Sequence, residues 1–247
     1  MKKFSIFLAI CLLLNCIPSA HATEAISNDS PLDAQVAEIM RTYHSDPTAA
    51  VSALDAIDIE LVCEPNITHH YCNSNTRGTY PTDYTFTVTC YKRSNSSLIH
   101  MQWLLEANAK EWFPGPLDYV SLEWDTAYAS YYSSSGDSSA STVQGRDTGI
   151  VLFNLEDNKL GSGDYSYGTV RVQPIANGWM AFGSKFTHTY TSLLVTGSAS
   201  ASFSPSAQIK ASGDHSLGLS YTMGYTINIS STTNEWRIWS DDAVNLT

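Results

Sequence analysis

Alternation between apolar and polar residues is clearest near the end of the chain, over residues 217–230. Every second position there is apolar, the residues between are glycine or carry hydroxyl or amide groups, and no charge interrupts the run. A period of two is typical of a β-strand with one apolar and one polar face. The apolar positions are Leu217, Leu219, Tyr221, Met223, Tyr225, Ile227 and Ile229.

A second alternating run, 195–204, precedes the first, and residues 205–215 connect the two. Together they predict a long hairpin within 193–230. One interpretation is a half-buried antiparallel sheet, which produces this alternation without any special function. The other is a membrane-inserting hairpin, because a strand that spans a bilayer needs about 9–11 alternating residues. Exposed strands of soluble proteins usually carry charges that protect their edges, and these two runs carry none.

The Ser/Thr-rich, amphipathic pattern of residues 193–230 resembles the hairpins of secreted pore-forming toxins of the aerolysin-like and haemolysin-like types. The resemblance covers this segment only. It implies that this hairpin would enter a membrane.

Two helix-start signals lie nearer the N-terminus. Ser30 followed by Pro31 predicts an N-cap and a first helical residue, and Asp33 suits the first turn. Asp46 and Pro47 repeat the signal and predict a second short helix to about residue 56. The first helix has one apolar face, formed by Leu32, Val36, Ile39, Met40 and Tyr43. We expect this helical hairpin to pack on the edge or end of a sheet, with a propeptide or a partner-binding segment as the alternatives.

From residue 57 onward the chain is rich in Thr, Ser, Tyr, Val and Ile, which favours strands. Residues 97–113 also fit a helix, and the serine-rich segment 133–141 predicts a flexible loop or hairpin tip. Strands without intervening helices predict a mainly β fold: an antiparallel β-sandwich or barrel-like sheet with a short helical hairpin at the N-terminus. The predicted strands are 58–64, 84–92, 98–107, 118–131, 148–155, 165–173, 178–191, 193–203, 216–230 and 235–240.

Residues 1–22 have the features of a secretory signal peptide: a basic start, a short apolar core and a small-x-small ending. Cleavage near Ala22 would give a secreted or cell-surface protein. The predicted organisation is a signal peptide (1–22), a polar segment with the helical hairpin (23–56) and an antiparallel β domain (57–247). Loss of Lys2 and Lys3 would leave 11 basic and 24 acidic residues, a net charge of −13. Such a charge repels nucleic acid, so we expect no nucleic-acid partner.

Three cysteines remain after residue 22: Cys63, Cys72 and Cys90. An oxidising compartment favours one disulfide and one remaining thiol. The first choice is Cys63–Cys90, which would join two strand-like runs, and Cys63–Cys72 is the alternative.

Catalytic candidates are few. Glu123 and Asp125 are two residues apart on a predicted strand and so share a face, and paired carboxylates catalyse glycoside hydrolysis. A related Glu-x-Asp-x-x-Glu pattern marks one family of β-sandwich glycanases, but Tyr128 occupies the third acidic position here. Solvated strand carboxylates are therefore the favoured interpretation. His69, His70 and Cys72 are metal-ligand types, but adjacent residues of an extended chain point in opposite directions, so we predict no metal site and no cofactor.

These observations favour a non-enzymatic protein that acts by binding or adhesion to a surface ligand, either a glycan or a protein. The first alternative is a β-pore-forming or membrane-active protein that inserts a hairpin from residues 193–230. The second is a secreted glycan-active hydrolase around Glu123 and Asp125.

Overall fold

The computed structural model of the protein describes residues 30–63, 69–71, 84–110, 117–191, 198–203, 225–230 and 233–247. The predicted signal peptide and Cys72 lie outside these residues, as do Leu217, Leu219, Tyr221 and Met223 of the predicted hairpin. None of the described helices has the length and hydropathy needed to cross a membrane.

Both predicted helices are confirmed: α1 spans Ser30–Thr42 and α2 spans Pro47–Asp55. The start of α2 follows the predicted signal, since the Asp46 side chain accepts a hydrogen bond from the Ala49 backbone N–H at 3.0 Å.

Most of the remaining described chain is β-strand, as the sequence predicts. The strands are β1 (Ile59–Leu61), β2 (His69–Tyr71), β3 (Tyr84–Arg93), β4 (Ile99–Ala107), β5 (Asp118–Trp124), β6 (Ala129–Gly136), β7 (Ser141–Asp147), β8 (Ile150–Leu155), β9 (Tyr165–Pro174), β10 (Trp179–Thr191), β11 (Ala199–Phe203), β12 (Tyr225–Ile229) and β13 (Thr233–Asn245).

The described strands form three antiparallel sheets. The first sheet has the order β1-β3-β4-β9-β6, the second has the order β2-β13-β10-β5-β8-β7, and β11 pairs with β12 alone. The first and second sheets pack face to face around one hydrophobic core. Contacts across this core include Trp103 of β4 with Phe153 of β8 and Tyr84 of β3 with Phe186 of β10, each with ring centroids 5.6 Å apart. The fold is therefore a β-sandwich with a helical hairpin.

The structure resolves one ambiguity of the strand prediction and changes two details. The ambiguous segment 97–113 contains β4, which confirms the predicted strand 98–107, rather than a helix. The predicted strand 118–131 is two strands, because the chain leaves the second sheet after Trp124 and enters the first at Ala129. Strands β6 and β7 occupy most of the serine-rich segment, and the turn between them is fixed by Asp137 Oδ1, which accepts backbone hydrogen bonds from Ser139, Ala140 and Ser141 at 2.9–3.0 Å.

The helical hairpin covers the outer face of the first sheet, rather than an edge or end. Apolar residues of α1 and α2 pack against that face in a second core, which comprises Leu32, Val36, Ala37, Met40, Ala50, Leu54, Ile59, Tyr91, Leu104 and Tyr167. At its centre Asp33 of α1 forms a fully buried ion pair with Arg171 of β9. Tyr91 and Ser135 each donate a hydroxyl hydrogen bond to the Asp33 carboxylate at 3.0 Å. Asp33 thus anchors the helix to the sheet.

Candidate functional site

The two-stranded sheet β11–β12 is the described part of the hairpin predicted at 193–230. Its apolar residues lie opposite one another, as do its polar residues. The pairs are Ala199–Ile229, Ser200–Asn228, Ala201–Ile227, Ser202–Thr226 and Phe203–Tyr225. Ser200, Ser202, Thr226 and Asn228 are exposed, whereas Ala199, Ala201, Phe203 and Ile227 are half-buried and Tyr225 is buried. The predicted two-faced pattern is confirmed for these residues.

The apolar face of β11–β12 packs on the outer face of the second sheet. Tyr119, Ile150 and Leu152 of that sheet form a small cluster with Tyr225, and Phe203 and Ile227 pack against it. Hydrogen bonds add to the contact. Tyr119 Oη donates to Ala199 O at 3.2 Å and Gln144 Nε2 donates to Ala201 O at 3.5 Å. The Tyr225 hydroxyl lies 2.7 Å from the Thr187 hydroxyl and 3.4 Å from Lys185 O. No strand ladder joins β11 or β12 to the two large sheets in the described chain. The hairpin is therefore held by side chains.

The hairpin is an insertion between two strands that are themselves fully paired. Strands β10 and β13 form an uninterrupted ladder from Trp179–Asn245 to Thr191–Thr233. The last pair of this ladder is Thr191 with Thr233, so the segment that contains β11 and β12 connects two directly opposite residues. Removal of β11–β12 from the surface would consequently leave every described ladder of the sandwich intact.

Four charged side chains of the second sheet lie close enough to one another and to Tyr225 to act on it electrostatically, and we call them the charged floor: Glu123 of β5, Lys185 of β10, and Glu235 and Arg237 of β13. Glu123 is 3% exposed and accepts a hydrogen bond from Ser121 Oγ at 2.9 Å. Arg237 forms a close ion pair with Glu235. Lys185 is 1% exposed, and its Nζ lies 4.3 Å from the centre of the Tyr225 ring. Burial raises the pKa of the Tyr225 hydroxyl far above its ordinary value, so Tyr225 is neutral in contact with these groups.

The two carboxylates proposed for hydrolysis are buried, and the expectation that they are solvated is wrong. Glu123 belongs to the charged floor, while Asp125 lies just after β5, is 8% exposed and accepts a hydrogen bond from the Ala127 N–H at 2.9 Å. Asp125 therefore stabilises the turn that carries the chain from the second sheet to the first, whereas Glu123 lies beneath Tyr225.

A cluster of polar side chains, which the sequence analysis did not find, lies inside the sandwich core. His188 Nδ1 is 2.9 Å from Asp157 Oδ2 and 3.3 Å from Asp118 Oδ2, and Tyr84 Oη donates to Asp157 Oδ2 at 2.8 Å. Burial alone would lower the pKa of His188, but the charges of Asp118 and Asp157 outweigh it and raise that pKa. Burial and the neighbouring Asp157 raise the pKa of Asp118, while the charge of His188 lowers that of Asp157 against the effect of burial.

This group contains two oxygen donors and one nitrogen donor within 4.8 Å, which is a possible metal-ligand set. The same atoms already form ion pairs and hydrogen bonds with one another among the rings of Tyr84, Phe186 and Trp236. We interpret the group as a core network without net charge, in which a protonated His188 lies between an ionised Asp157 and a protonated Asp118. Its members are 31 to 70 residues apart in the chain, and each lies in an ordinary strand or turn pattern, so the sequence gives no signal for it.

The histidines of the metal candidate lie on β2, where His69 pairs with Trp239 and His70 with Ile238.

The first-choice disulfide partners come close together in the fold: the Cys63 Sγ–H contacts Cys90 O at 3.8 Å, and both described cysteines are thiols. Burial and the adjacent Cys63 raise the pKa of the Cys90 thiol. The Cys63–Cys90 disulfide stays a prediction.

The comparisons with known proteins add no family: no family model matches the chain, and no curated protein matches its sequence.

Proposed function

We propose that this protein is a secreted, membrane-active protein that inserts a β-hairpin from residues 193–230 into a lipid bilayer. The observation that carries the proposal is the amphipathic sheet β11–β12. In the part of the chain that the structure describes, side-chain contacts and no strand ladder hold its apolar face on the sandwich. On insertion this apolar face would exchange the second sheet for lipid, and the Ser/Thr/Asn face would stay in water. The sandwich would stay folded when the hairpin leaves its surface, since the described ladders of the sandwich do not include the hairpin.

The sequence provides enough alternating residues for the inserted form. A membrane-spanning strand needs about 9–11 residues, and β11 and β12 have five each. If the inserted hairpin keeps the register of the described pairs, apolar residues continue to fall opposite apolar residues along the sequence. The further pairs on that face would be Pro205–Met223, Ala207–Tyr221, Ile209–Leu219 and Ala211–Leu217. The only charged residue before the turn, Lys210, would fall on the polar face.

Dye release from vesicles tests the proposal. Residues 23–247 would be added to phosphatidylcholine vesicles at neutral and mildly acidic pH, because protonation of carboxylates reduces the net negative charge that opposes insertion. We expect release by the wild-type protein. No release at either pH by the folded protein would refute the proposal.

Neighbouring residues of β12 provide a matched pair of variants. Ile227 lies on the apolar face and Asn228 on the exposed polar face. Ile227→Lys should abolish release, because a lysine within the hydrocarbon costs about 2–4 kcal/mol. Asn228→Lys should retain release, since its side chain would remain in water. Circular dichroism would verify that both variants keep the sandwich, and equal release by the two would contradict insertion in this orientation.

Binding or adhesion is the second candidate, and exposed apolar side chains on the turn between β9 and β10 favour it. Ile175 is 60% exposed and Trp179 is 40% exposed, and the turn 175–179 carries no charge. A surface-binding protein would bind vesicles or glycans through such side chains without releasing dye. Hydrolysis has less support, because Glu123 and Asp125 are buried.

A further inference from the structure

Lys185 occupies an unusual place for a lysine, in the contact between the hairpin and the sandwich. It projects from the outer face of β10, where its neighbours in register are Ser121 on β5 and Trp239 on β13. The Tyr225 ring covers its ammonium group, and Nζ has no hydrogen-bond partner among the residues that the structure describes. A buried ammonium without hydrogen bonds is costly, because it gives up its hydration.

The charges around Lys185 compensate only part of that cost. Glu123 on β5 and Glu235 on β13 favour the charged ammonium, and Arg237 on β13 opposes it. Glu235 is also engaged by Arg237, and Glu123 accepts a hydrogen bond from Ser121. The Tyr225 ring supplies a cation–π contact, which is weaker than the hydration of an ammonium. Burial outweighs the favourable contacts and lowers the pKa of Lys185 to about 8.

We propose that Lys185 destabilises the docked hairpin and thereby sets how readily β11–β12 leaves the sandwich. Tyr225 is the hairpin residue that covers the ammonium, so departure of β12 would return Lys185 to water while the sandwich ladders persist. Lys185 would in this way regulate membrane insertion by the hairpin, a role that rests on the function proposed above. The docking equilibrium itself can be measured without a membrane.

The effect of pH on docking has a definite sign. The pKa of Lys185 is about 8 when the hairpin is docked and would be near the ordinary 10.5 when the hairpin has left. The docked form therefore binds fewer protons between these values, and docking strengthens as pH rises through this window. Below pH 8 the lysine is charged in both forms, and docking is weakest there. The two pKa values correspond to a change of roughly 20-fold in the docking equilibrium between pH 7.5 and pH 9.5. Burial also raises the pKa of Tyr225, so ionisation of the released Tyr225 hydroxyl opposes docking above about pH 10.

Hydrogen exchange of peptides from 198–203 and 225–230 reports docking, because an isolated two-stranded hairpin is only marginally stable in water and its amides exchange once it leaves the sandwich. The readout is the protection factor, corrected for the intrinsic effect of pH. Lys185→Met removes the charge and retains an apolar side chain of similar length. We expect it to raise protection of β11–β12 at pH 7 by at least 10-fold, up to about 300-fold, with unchanged protection of β4. The control Lys159→Met removes an exposed lysine and should leave protection unchanged. Equal or lower protection in Lys185→Met would overturn the inference, since the lysine would then be neutral or stabilising for docking.

The wild-type protein supplies a second test that needs no substitution. Protection of β11–β12 should rise roughly 20-fold from pH 7.5 to pH 9.5, and a constant value would overturn the inference. Dye release separates the two proposals. If Lys185→Met strengthens docking but wild type releases no dye, Lys185 controls the hairpin and the insertion proposal fails. If wild type releases dye and the exchange of Lys185→Met is unchanged, insertion stands and the role of Lys185 fails.

Discussion

The buried ion pair between Asp33 and Arg171 makes the helical hairpin a sensitive point of the fold. Both side chains are fully buried, and the substitution Asp33→Ala would leave the Arg171 guanidinium in the core without its carboxylate. Removing one member of a buried pair costs about 3–5 kcal/mol. That is a large share of the roughly 5–15 kcal/mol that stabilises an ordinary domain. The hydroxyls of Tyr91 and Ser135 would lose their acceptor as well.

Urea unfolding followed by circular dichroism would measure this loss in residues 23–247. Glu38→Ala is the matched control on the same helix, because it breaks an exposed pair with Arg41 and should cost no more than about 1 kcal/mol. The double variant Asp33→Ala/Arg171→Met should recover part of the loss, since it removes the unpaired charge. A loss below about 1 kcal/mol for Asp33→Ala would refute the reasoning, because it would mean that Arg171 is solvated or paired elsewhere after the substitution.

The pair also predicts a pH dependence. Burial raises the pKa of Asp33, but the nearby His100, whose Nδ1 lies 3.8 Å from Asp33 Oδ1, and the charge of Arg171 outweigh it, so the pKa lies below its ordinary value. The stabilisation is therefore complete above the ordinary pKa and is lost as pH falls through the lower value of the folded protein. The wild-type protein should lose this stability in acid, and Asp33→Ala should lack that part of the loss.

Two further predictions concern the sandwich core and the cysteines. In β9, Gly168→Ala should destabilise the protein by at least about 2 kcal/mol in the same unfolding assay, because the added Cβ would lie 2.5 Å from the Trp103 ring and 2.8 Å from the Phe153 ring. Gly145→Ala is its control, with a nearest contact of 3.6 Å, and a similar loss in both variants would contradict a specific clash. For the cysteines, mass spectrometry of an unreduced digest of oxidised protein should find a peptide linked through Cys63 and Cys90, which lie close in the fold. A Cys63–Cys72 peptide would instead support the alternative pairing.

Local sequence signals determined a large part of this protein. The Asp46–Pro47 signal predicted the start of α2, and β3, β4, β8, β9 and β10 begin and end within about two residues of their predicted bounds. The two faces of β11–β12 also followed from alternation alone. These features depend on the backbone geometry of neighbouring residues, which a short stretch of sequence encodes.

The tertiary structure decided what covers each polar side chain. Lys185 and Glu123 alternate with apolar neighbours as residues of a solvated face would, yet both are buried, and Tyr225 of the hairpin covers the lysine. His188 contacts Asp118 and Asp157, which are 70 and 31 residues away in the sequence. Arg171 is paired with Asp33 of α1, which is 138 residues away. Periodicity specifies which side chains share a face of a strand. Burial and charge pairing depend on the element that packs on that face, and only long-range contacts of the folded chain determine that element.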